Sequence, residues 1–392
     1  MRVRRCGVLM LEPGERVEFD LARLALGETG LYNVIDWTAF APHAGSATTV
    51  SGAEVVALGQ LSPSQWVEAA DLAHPPAVID SLIAKGLLVE EGGAADSRDR
   101  LVRDTDWRAT SAVMHFASRW RGAETEDLQQ RFIEHYQDDL LDHLGPAPPA
   151  VRERAAPADR MPLPPAERTP LDALLDGRVT CRNFDRERAL TQADFAAVMF
   201  RAFGARAVED YAQGVQLLKK GVPSAGGLHP TEAYLLIRRV EGIAPGLYHY
   251  HPVDHALEPI RAMPLDETAA LARRFVGAQA YLVDAQVFVI PVSRFRRNFW
   301  KYRNHTKAYR ALILDIGHLS QTMYLAATEL GLAAFITAAV NEVDIEEAFG
   351  LDPLEEGPLA VTGFGIRAEE RSEVEFDPLQ RIWCGDRRAD AS

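Results

Sequence analysis

The sequence predicts an α+β fold with a small N-terminal domain, a proline-rich linker and a larger C-terminal layered domain. From about residue 171 onward, helical and strand patterns alternate, and no repeat of 20–50 residues occurs. Eight of the 23 prolines fall within residues 145–170, and proline at that density removes amide donors and favours extended chain. The 392 residues are 47% hydrophobic and 25% charged, a composition typical of a folded, core-forming protein of about two domains.

The N-terminal segment predicts short strands over residues 3–11 and 16–21, and a capped helix that opens at Ser62. A second helix follows Pro75, with apolar residues on one side, and ends at Gly86 before a short strand. Helix, glycine and strand in this order are typical of the second half of a winged helix. Because this helix carries one lysine and no arginine, peptide docking or simple packing is favoured over DNA binding.

The C-terminal domain predicts a central mixed sheet flanked by helices. Helices are expected over residues 171–175, 191–203, 266–276, 310–330 and 345–349, and strands over 232–238, 246–251, 280–292, 332–337 and 359–364. The predicted organisation is a winged-helix-like domain (1–100), a helical connection (101–144, helical over about 126–144), the linker (145–170), the main domain (171–370) and a tail (371–392).

Charge and cysteine content exclude several classes of function. Acidic residues outnumber basic ones by 56 to 42, a formal charge of −14 that disfavours a nucleic-acid partner. Cys6, Cys181 and Cys384 are too few for a disulfide framework or a zinc cluster. We find no secretory signal and no run of the ~18 apolar residues that a membrane helix needs. A cytoplasmic protein without a membrane partner is expected.

Three separated clusters could carry chemistry, and the first lies at residues 177–184. Arg178 and Arg182 bracket the hydroxyl of Thr180. Two guanidiniums and a hydroxyl this close form a plausible clamp for phosphate oxygens. Arginine pairs at this spacing are also common on solvated surfaces.

The second cluster is a turn-rich segment directly before a predicted strand. It contains Pro223, Ser224, Ala225, Gly226 and Gly227. Adjacent glycines allow positive φ and let backbone approach a flat ligand. The spacing fits neither of the glycine-rich nucleotide loops, and an ordinary loop is the alternative.

The third cluster, residues 293–310, holds seven basic and five aromatic residues. Local positive charge in an acidic protein indicates an anionic ligand, an acidic peptide or neighbouring carboxylates. Within it, Lys301 and Tyr302 place an ammonium beside a phenol, a pair suited to proton transfer because burial lowers the pKa of a lysine and a nearby ammonium lowers that of a tyrosine. A solvated basic surface is the alternative.

No metal site is predicted. His249 and His251 alternate along a strand and His255 follows across a turn, but histidines in hairpins mostly pack or form hydrogen bonds.

Taken together, these clusters resemble the nitroreductase-like flavoprotein superfamily, and within it the SagB-type dehydrogenases of ribosomal peptide maturation. The resemblance covers roughly residues 170–370. RVTCRNF resembles the family's flavin-phosphate motif, and PSAGGLHPTEAYL is similar to the segment that packs on the flavin ring. GLYHYHPVDHALE resembles the hairpin that follows. KY and the helix with DIGH resemble the catalytic pair and the dimer-forming helix.

The resemblance implies a homodimeric FMN enzyme with the flavin at the subunit interface. Its substrate would be a ribosomally made precursor peptide whose azoline rings are oxidised to azoles, in a possible complex with a cyclodehydratase. Tyr302 would transfer the proton and Lys301 would tune the acidity of Tyr302, or the two roles would be reversed. Arg178, Thr180, Arg182 and residues 223–227 would bind FMN, with Arg367 as a C-terminal contributor. The alternatives are an NAD(P)H-dependent nitro- or quinone reductase, and a catalytically silent scaffold that binds the leader peptide.

Overall fold

A computed structural model describes residues 1–125, 146, 148–212, 214–303 and 305–384. The predicted helix over residues 126–144 lies outside these residues. Chain contacts define two compact units. The first contains residues 1–119, 293–314 and 350–357, and the second contains residues 120–292, 315–349 and 358–392.

The helices and strands of the described residues are numbered here in chain order. The helices are α1 (Leu21–Ala25), α2 (Gly52–Gln60), α3 (Pro76–Ala84), α4 (Ala94–Asp104), α5 (Ala109–Ala117), α6 (Pro170–Gly177), α7 (Gln192–Phe203), α8 (Leu265–Phe275), α9 (Phe295–Tyr302), α10 (Ala308–Glu329) and α11 (Glu342–Phe349). The strands are β1 (Arg2–Arg5), β2 (Met10–Phe19), β3 (Leu31–Phe40), β4 (Thr48–Val50), β5 (Val67–Glu68), β6 (Leu88–Glu90), β7 (Ala205–Ala212), β8 (Val215–Lys220), β9 (Thr231–Ile237), β10 (Gly246–His251), β11 (Ala256–Ala262), β12 (Val287–Arg294), β13 (Ala333–Thr337), β14 (Glu356–Pro358) and β15 (Val361–Gly365).

The N-terminal part of the first unit is built on two small sheets, ordered β5-β1-β6 and β2-β3-β4. Helix α3 buries Ile79 and Leu82, and these side chains join Leu58 and Leu88 in one apolar core. The predicted succession of helix, Gly86 and strand is present as α3 and β6. The winged-helix character of this domain stays a prediction.

Two local predictions for this region were wrong. Residues 10–19 form one continuous strand through Pro13, because β2 lies at the edge of its sheet, where a missing amide donor is tolerated. Ser62 does not begin a helix. Its hydroxyl accepts hydrogen bonds from the amides of Ser64 and Gln65, but the chain then continues into β5, which pairs with β1.

A capping interaction does begin a helix at Gly52, ten residues before Ser62. The Ser51 hydroxyl accepts from the Glu54 amide at 3.3 Å, and the Glu54 carboxylate accepts from the Ser51 amide at 2.6 Å. This reciprocal pair satisfies two of the amides that a helix leaves unpaired at its start. It opens α2.

The second unit confirms the predicted α+β fold. Its main sheet has the order β11-β10-β9-β12-β15-β13. Strand β10 is antiparallel to β9 and β11, and β15 is antiparallel to β12 and β13. Helices α7 and α10 contribute Val198 and Met323 to a core shared with Val289 and Phe364 of the sheet.

The periodic elements of the second unit match their predictions to within a few residues. The exception is residues 280–292, where an apolar run predicted one strand. Residues 280–282 form a 3-10 turn and the strand begins only at Val287, since apolar character alone does not separate a buried turn from a buried strand. The β7–β8 hairpin was not predicted. No described helix is long and apolar enough to span a membrane.

Candidate functional site

The predicted phosphate segment is an extended chain at the edge of the main sheet. Val179 and Cys181 are buried, whereas Thr180 and Arg182 are exposed, the alternation of an extended segment. Thr180 pairs with Ala334, and the Cys181 amide donates to the Ala334 carbonyl at 2.9 Å. Burial raises the pKa of Cys181 to about 12, so this thiol anchors the segment and is not a nucleophile.

Two tyrosines hold the outward side chains of this segment. The Thr180 hydroxyl lies 3.0 Å from the Tyr324 hydroxyl. The Arg178 guanidinium lies 5.2 Å from the ring centre of Tyr324, and that of Arg182 lies 5.2 Å from the ring centre of Tyr281. Cation–π contacts at these distances orient guanidiniums without neutralising them.

Arg178, Thr180 and Arg182 line one cavity of about 520 Å³, which we call the arginine cavity. This confirms that the three predicted residues lie together. The volume falls within the roughly 300–1,000 Å³ of small-molecule sites, and its opposite wall is formed by residues 371–383. Two guanidiniums and a hydroxyl facing one cavity fit a phosphate group. FMN therefore fits this end of the site by the chemistry of the donors.

Arg367 is placed differently from the prediction. Its guanidinium forms an ion pair with the buried Glu375 carboxylate and lies 5.7 Å from the ring centre of Trp383. It does not line the cavity. Its guanidinium thus contacts the C-terminal segment that forms the opposite wall of the cavity.

The second predicted segment, residues 223–227, is held by a buried carboxylate of α10. The Ser224 hydroxyl donates to Asp315 Oδ2 at 2.5 Å and the Ala225 amide donates to Asp315 Oδ1 at 3.3 Å. The His229 amide donates to the Ser224 hydroxyl at 3.0 Å. Burial raises the pKa of Asp315 despite the bond from Ser224. Ser224 therefore holds the loop.

The rest of this loop presents backbone rather than side chains. Gly226 and Gly227 adopt φ of +60° and +67°, and space is open where a Gly227 side chain would stand. Pro223 and Gly226 are exposed, and Ala225 is half-buried. A loop with two glycines in the left-handed region leaves room for a flat ring to approach the main chain.

Helix α10 connects the two segments. Asp315 bonds the loop and Tyr324 bonds Thr180. The two residues are nine positions apart in the helix, which corresponds to about 14 Å along the axis. None of residues 223–227 lines the arginine cavity, so the structure gives two separate anchors on one helix and not a single cavity.

Lys301 and Tyr302 lie at the end of α9 in the first unit, whereas the other predicted site residues belong to the second. Helix α9 buries Phe295 and Phe299 and exposes its basic side. The Lys301 ammonium lies 5.7 Å from the ring centre of Tyr302. Lys301 is exposed and Tyr302 is half-buried, so a single chain does not provide the burial that the sequence argument required.

The three hairpin histidines are engaged by hydrogen bonds. His249 bonds Glu232 at 3.0 Å and Glu258 at 2.6 Å. His255 bonds the Tyr250 hydroxyl at 2.7 Å, and His251 accepts from the Asp254 amide. These bonds explain the cluster without a metal ion.

The His249 contacts predict a pH-dependent contribution to stability. Hydrogen bonds to Glu232 and Glu258 outweigh burial and raise the pKa of His249 above 6.5. The stabilisation is complete below about pH 6.5 and is lost as the pH rises through the raised value. We expect His249→Gln to lose stability at pH 5.5–6.5 more than at pH 8.5, measured by urea unfolding. His251→Gln is the control, and parallel curves for wild type and His249→Gln would contradict the prediction.

Comparison with known proteins identifies relatives of part of the chain. Residues 175–366 match the Nitroreductase family model. The chain is 32% identical over 164 residues to the trifolitoxin-processing protein TfxB of Rhizobium leguminosarum bv. trifolii, covering 42% of this chain and 43% of TfxB. It is 28% identical over 153 residues to the microcin B17-processing protein McbC of Escherichia coli, covering 38% of this chain and 54% of McbC.

Among solved structures, the E. coli microcin synthetase McbBCD complex with truncated pro-MccB17 bound is similar at 20% identity with a TM-score of 0.43, covering 70% of this chain and 93% of that chain. The chain spans about half the length of each of these two curated relatives. Both relatives are named as processing proteins, one of trifolitoxin and one of microcin B17. Residues 175–366 of this chain are a nitroreductase family domain.

Proposed function

We propose that the chain is an FMN-dependent dehydrogenase of ribosomal peptide maturation, of the SagB type, which oxidises azoline rings of a precursor peptide. The observation that carries the proposal is that helix α10 bonds both predicted flavin segments, the arginine segment through Tyr324 and the glycine loop through Asp315. The likeness to two peptide-processing proteins supports a peptide as the substrate.

The chemistry that FMN supplies when bound is acceptance of a hydride. An azoline becomes an aromatic azole by losing two electrons and two hydrogens. One hydrogen leaves as a proton, which Tyr302 Oη takes. The other leaves with the electron pair to the flavin. The acceptor is the phenolate form of Tyr302, which becomes a neutral phenol when it takes the proton, and the Lys301 ammonium beside the ring stabilises the negative charge of that phenolate before the transfer.

The proposed assembly is a cytoplasmic homodimer. Helix α10 exposes two large apolar side chains, Ile313 at 47% and Leu314 at 63%. A long helix that shows apolar residues on its outer side is suited to pack against a second copy. Association with a cyclodehydratase, which forms the azoline, is part of the same proposal.

The experiment that tests the proposal begins with the absorption spectrum of the purified protein. We expect flavin bands, and loss of two hydrogens from an azoline-containing peptide by mass spectrometry. A protein that cannot take up FMN would overturn the proposed enzymatic function. Turnover of quinones with NAD(P)H, with no azoline oxidised, would favour a nitro- or quinone reductase. Tight peptide binding that survives Tyr302→Phe, with no oxidation to lose, would favour a silent scaffold.

Arg182→Ala is expected to weaken FMN binding by more than about tenfold. The variant removes a charge-assisted phosphate contact, which typically contributes ~1.5–3 kcal/mol. Titration of the apoprotein with FMN, followed by flavin fluorescence, measures the effect. Arg186→Ala is the matched control, since Arg186 is paired with Asp284 and does not line the arginine cavity. Equal affinities for Arg182→Ala and wild type would show that the clamp is misassigned.

A further inference from the structure

The carboxylate of Glu375 is buried beside the arginine cavity and accepts hydrogen bonds from several groups. It accepts hydrogen bonds from the Arg182 amide at 2.7 Å, the Asn183 amide at 3.1 Å, Asn183 Nδ2 at 2.8 Å and Trp383 Nε1 at 2.9 Å. Arg367 completes the set with an ion pair. The Glu375 side chain is 0% exposed. A buried carboxylate with this many donors is satisfied on both oxygens.

Glu375 belongs to a C-terminal segment that we call the clasp, residues 372–383. Asn183 Oδ1 accepts from the amides of Ser372 and Glu373 at 2.8 and 2.7 Å. The Asp377 carboxylate accepts from the amides of Arg381, Ile382 and Trp383 at 3.0, 2.8 and 3.0 Å. The clasp is thus a folded turn fastened to the residue that follows Arg182.

The clasp forms one wall of the arginine cavity. Its lining residues are Val374, Glu375, Phe376, Asp377, Pro378, Gln380 and Trp383, and they face Arg178, Thr180 and Arg182. The Arg182 guanidinium also donates to the Val374 carbonyl at 3.0 Å. The cavity wall is therefore built from two chain segments that Glu375 joins.

The charge state of Glu375 follows from the same contacts. Burial alone would raise the pKa of Glu375, but hydrogen bonds from Arg182 and Trp383, together with the charge of Arg367, outweigh it and lower the pKa. At neutral pH the group is therefore a carboxylate, close to the place where the phosphate of FMN would bind.

We propose that Glu375 is a positioning residue for the flavin phosphate: it fixes the backbone of Arg182 and Asn183 and fastens the clasp as the cavity wall. This inference rests on the proposed function, because it takes FMN as the ligand. Two effects of Glu375 oppose each other. As a nearby negative charge it repels phosphate, and as an acceptor it orders the donors. We assign the larger effect to ordering, since five donor groups converge on one fully buried carboxylate.

The test is Glu375→Gln, for which the two effects predict opposite signs. Loss of repulsion would tighten FMN binding, whereas loss of ordering weakens it. The apoprotein is titrated with FMN and with riboflavin, which lacks the phosphate. We expect FMN affinity to fall at least tenfold and riboflavin affinity to change less than twofold, so that the preference for FMN collapses. Glu370→Gln is the matched control, an exposed residue with the same change in charge.

Several outcomes would overturn the inference. Equal loss of both flavins would show that Glu375 serves the fold and not the phosphate. Unchanged or tighter FMN binding would show that the clasp does not order the site. If the Glu375→Gln variant fails to fold, Trp383→Phe is tested in its place. This variant removes one donor to Glu375 and keeps an aromatic ring, and it should also weaken FMN binding. A wild-type protein that binds neither flavin would overturn the proposed function and this assignment with it.

Discussion

Replacing Tyr302 by phenylalanine is expected to lower kcat for azoline oxidation by about 10²–10⁴-fold, the usual contribution of a positioned acid–base group. The substitution removes only the phenolic oxygen, which in its phenolate form takes the proton from the azoline ring. The helix should survive it, because α9 is held by buried Phe295, Asn298 and Phe299, and Asn298 Nδ2 donates to the Ala308 carbonyl at 2.9 Å. Single-turnover reduction of the bound flavin by an azoline peptide measures the step directly.

The matched control for this prediction is Tyr211→Phe, which removes the hydroxyl of a tyrosine that is 72% exposed on β7. Flavin content should be the same in wild type and in both variants. Lys301→Ala should slow the reaction less than Tyr302→Phe, because the ammonium acts through the phenol. Wild-type rates for Tyr302→Phe would remove this residue from the chemistry and leave the flavin site intact.

Replacing Asp315 by alanine is expected to lower the free energy of unfolding by about 3 kcal/mol or more and to release the flavin. The carboxylate accepts from the Ser224 hydroxyl and the Ala225 amide, and each buried donor left without an acceptor costs about 1–3 kcal/mol. Without it, a loop with two glycines at positive φ loses its support. Urea unfolding and FMN titration measure the two effects.

Asp315→Asn separates the hydrogen bond from the charge. The amide oxygen of asparagine can still accept from Ser224, so most of the loop geometry and the flavin affinity should return. Because burial raises the pKa of Asp315, the wild-type carboxylate binds its proton more tightly in the folded state, and its contribution to stability falls as the pH rises above about 3.8. Asp315→Asn should lack that fall. An alanine variant as stable as wild type would contradict the assignment.

The sequence was sufficient for elements whose pattern is local. Helix α7 was predicted over residues 191–203, and the structure begins it at Gln192 with Thr191 accepting from the Asp194 amide. Strand β10 was likewise predicted over residues 246–251, the bounds that the structure gives it. In both cases the side chains that decide the structure lie within a few positions of one another.

The sequence was not sufficient where the deciding contact is distant. Nothing near Ser62 indicates that β5 will pair with β1, which lies more than sixty positions away. Glu375 lies in a segment without any periodic pattern. Its role is revealed only by its hydrogen bond with Asn183, which lies 192 positions away in the sequence. Asp315 did leave a signal, since it is an acidic residue inside a helix of mostly apolar ones, and such a residue needs a buried partner.

The arginine segment and the glycine loop were both found from composition, but their relation was not. Tyr324 links Thr180 to α10, and neither its position nor its hydrogen bond follows from the phosphate motif. The expected burial of Lys301 was wrong for a single chain because α9 turns its basic side outward, as the positions of Phe295 and Phe299 require.

Helix α10 sets the distance between the two ends of the proposed flavin site. A helix rotates about 100° and advances 1.5 Å with each residue, so an insertion or deletion between Asp315 and Tyr324 would turn one anchor away from its partner while the other stayed in place. The spacing of nine positions between Asp315 and Tyr324 therefore fixes where α10 holds the glycine loop relative to the arginine segment.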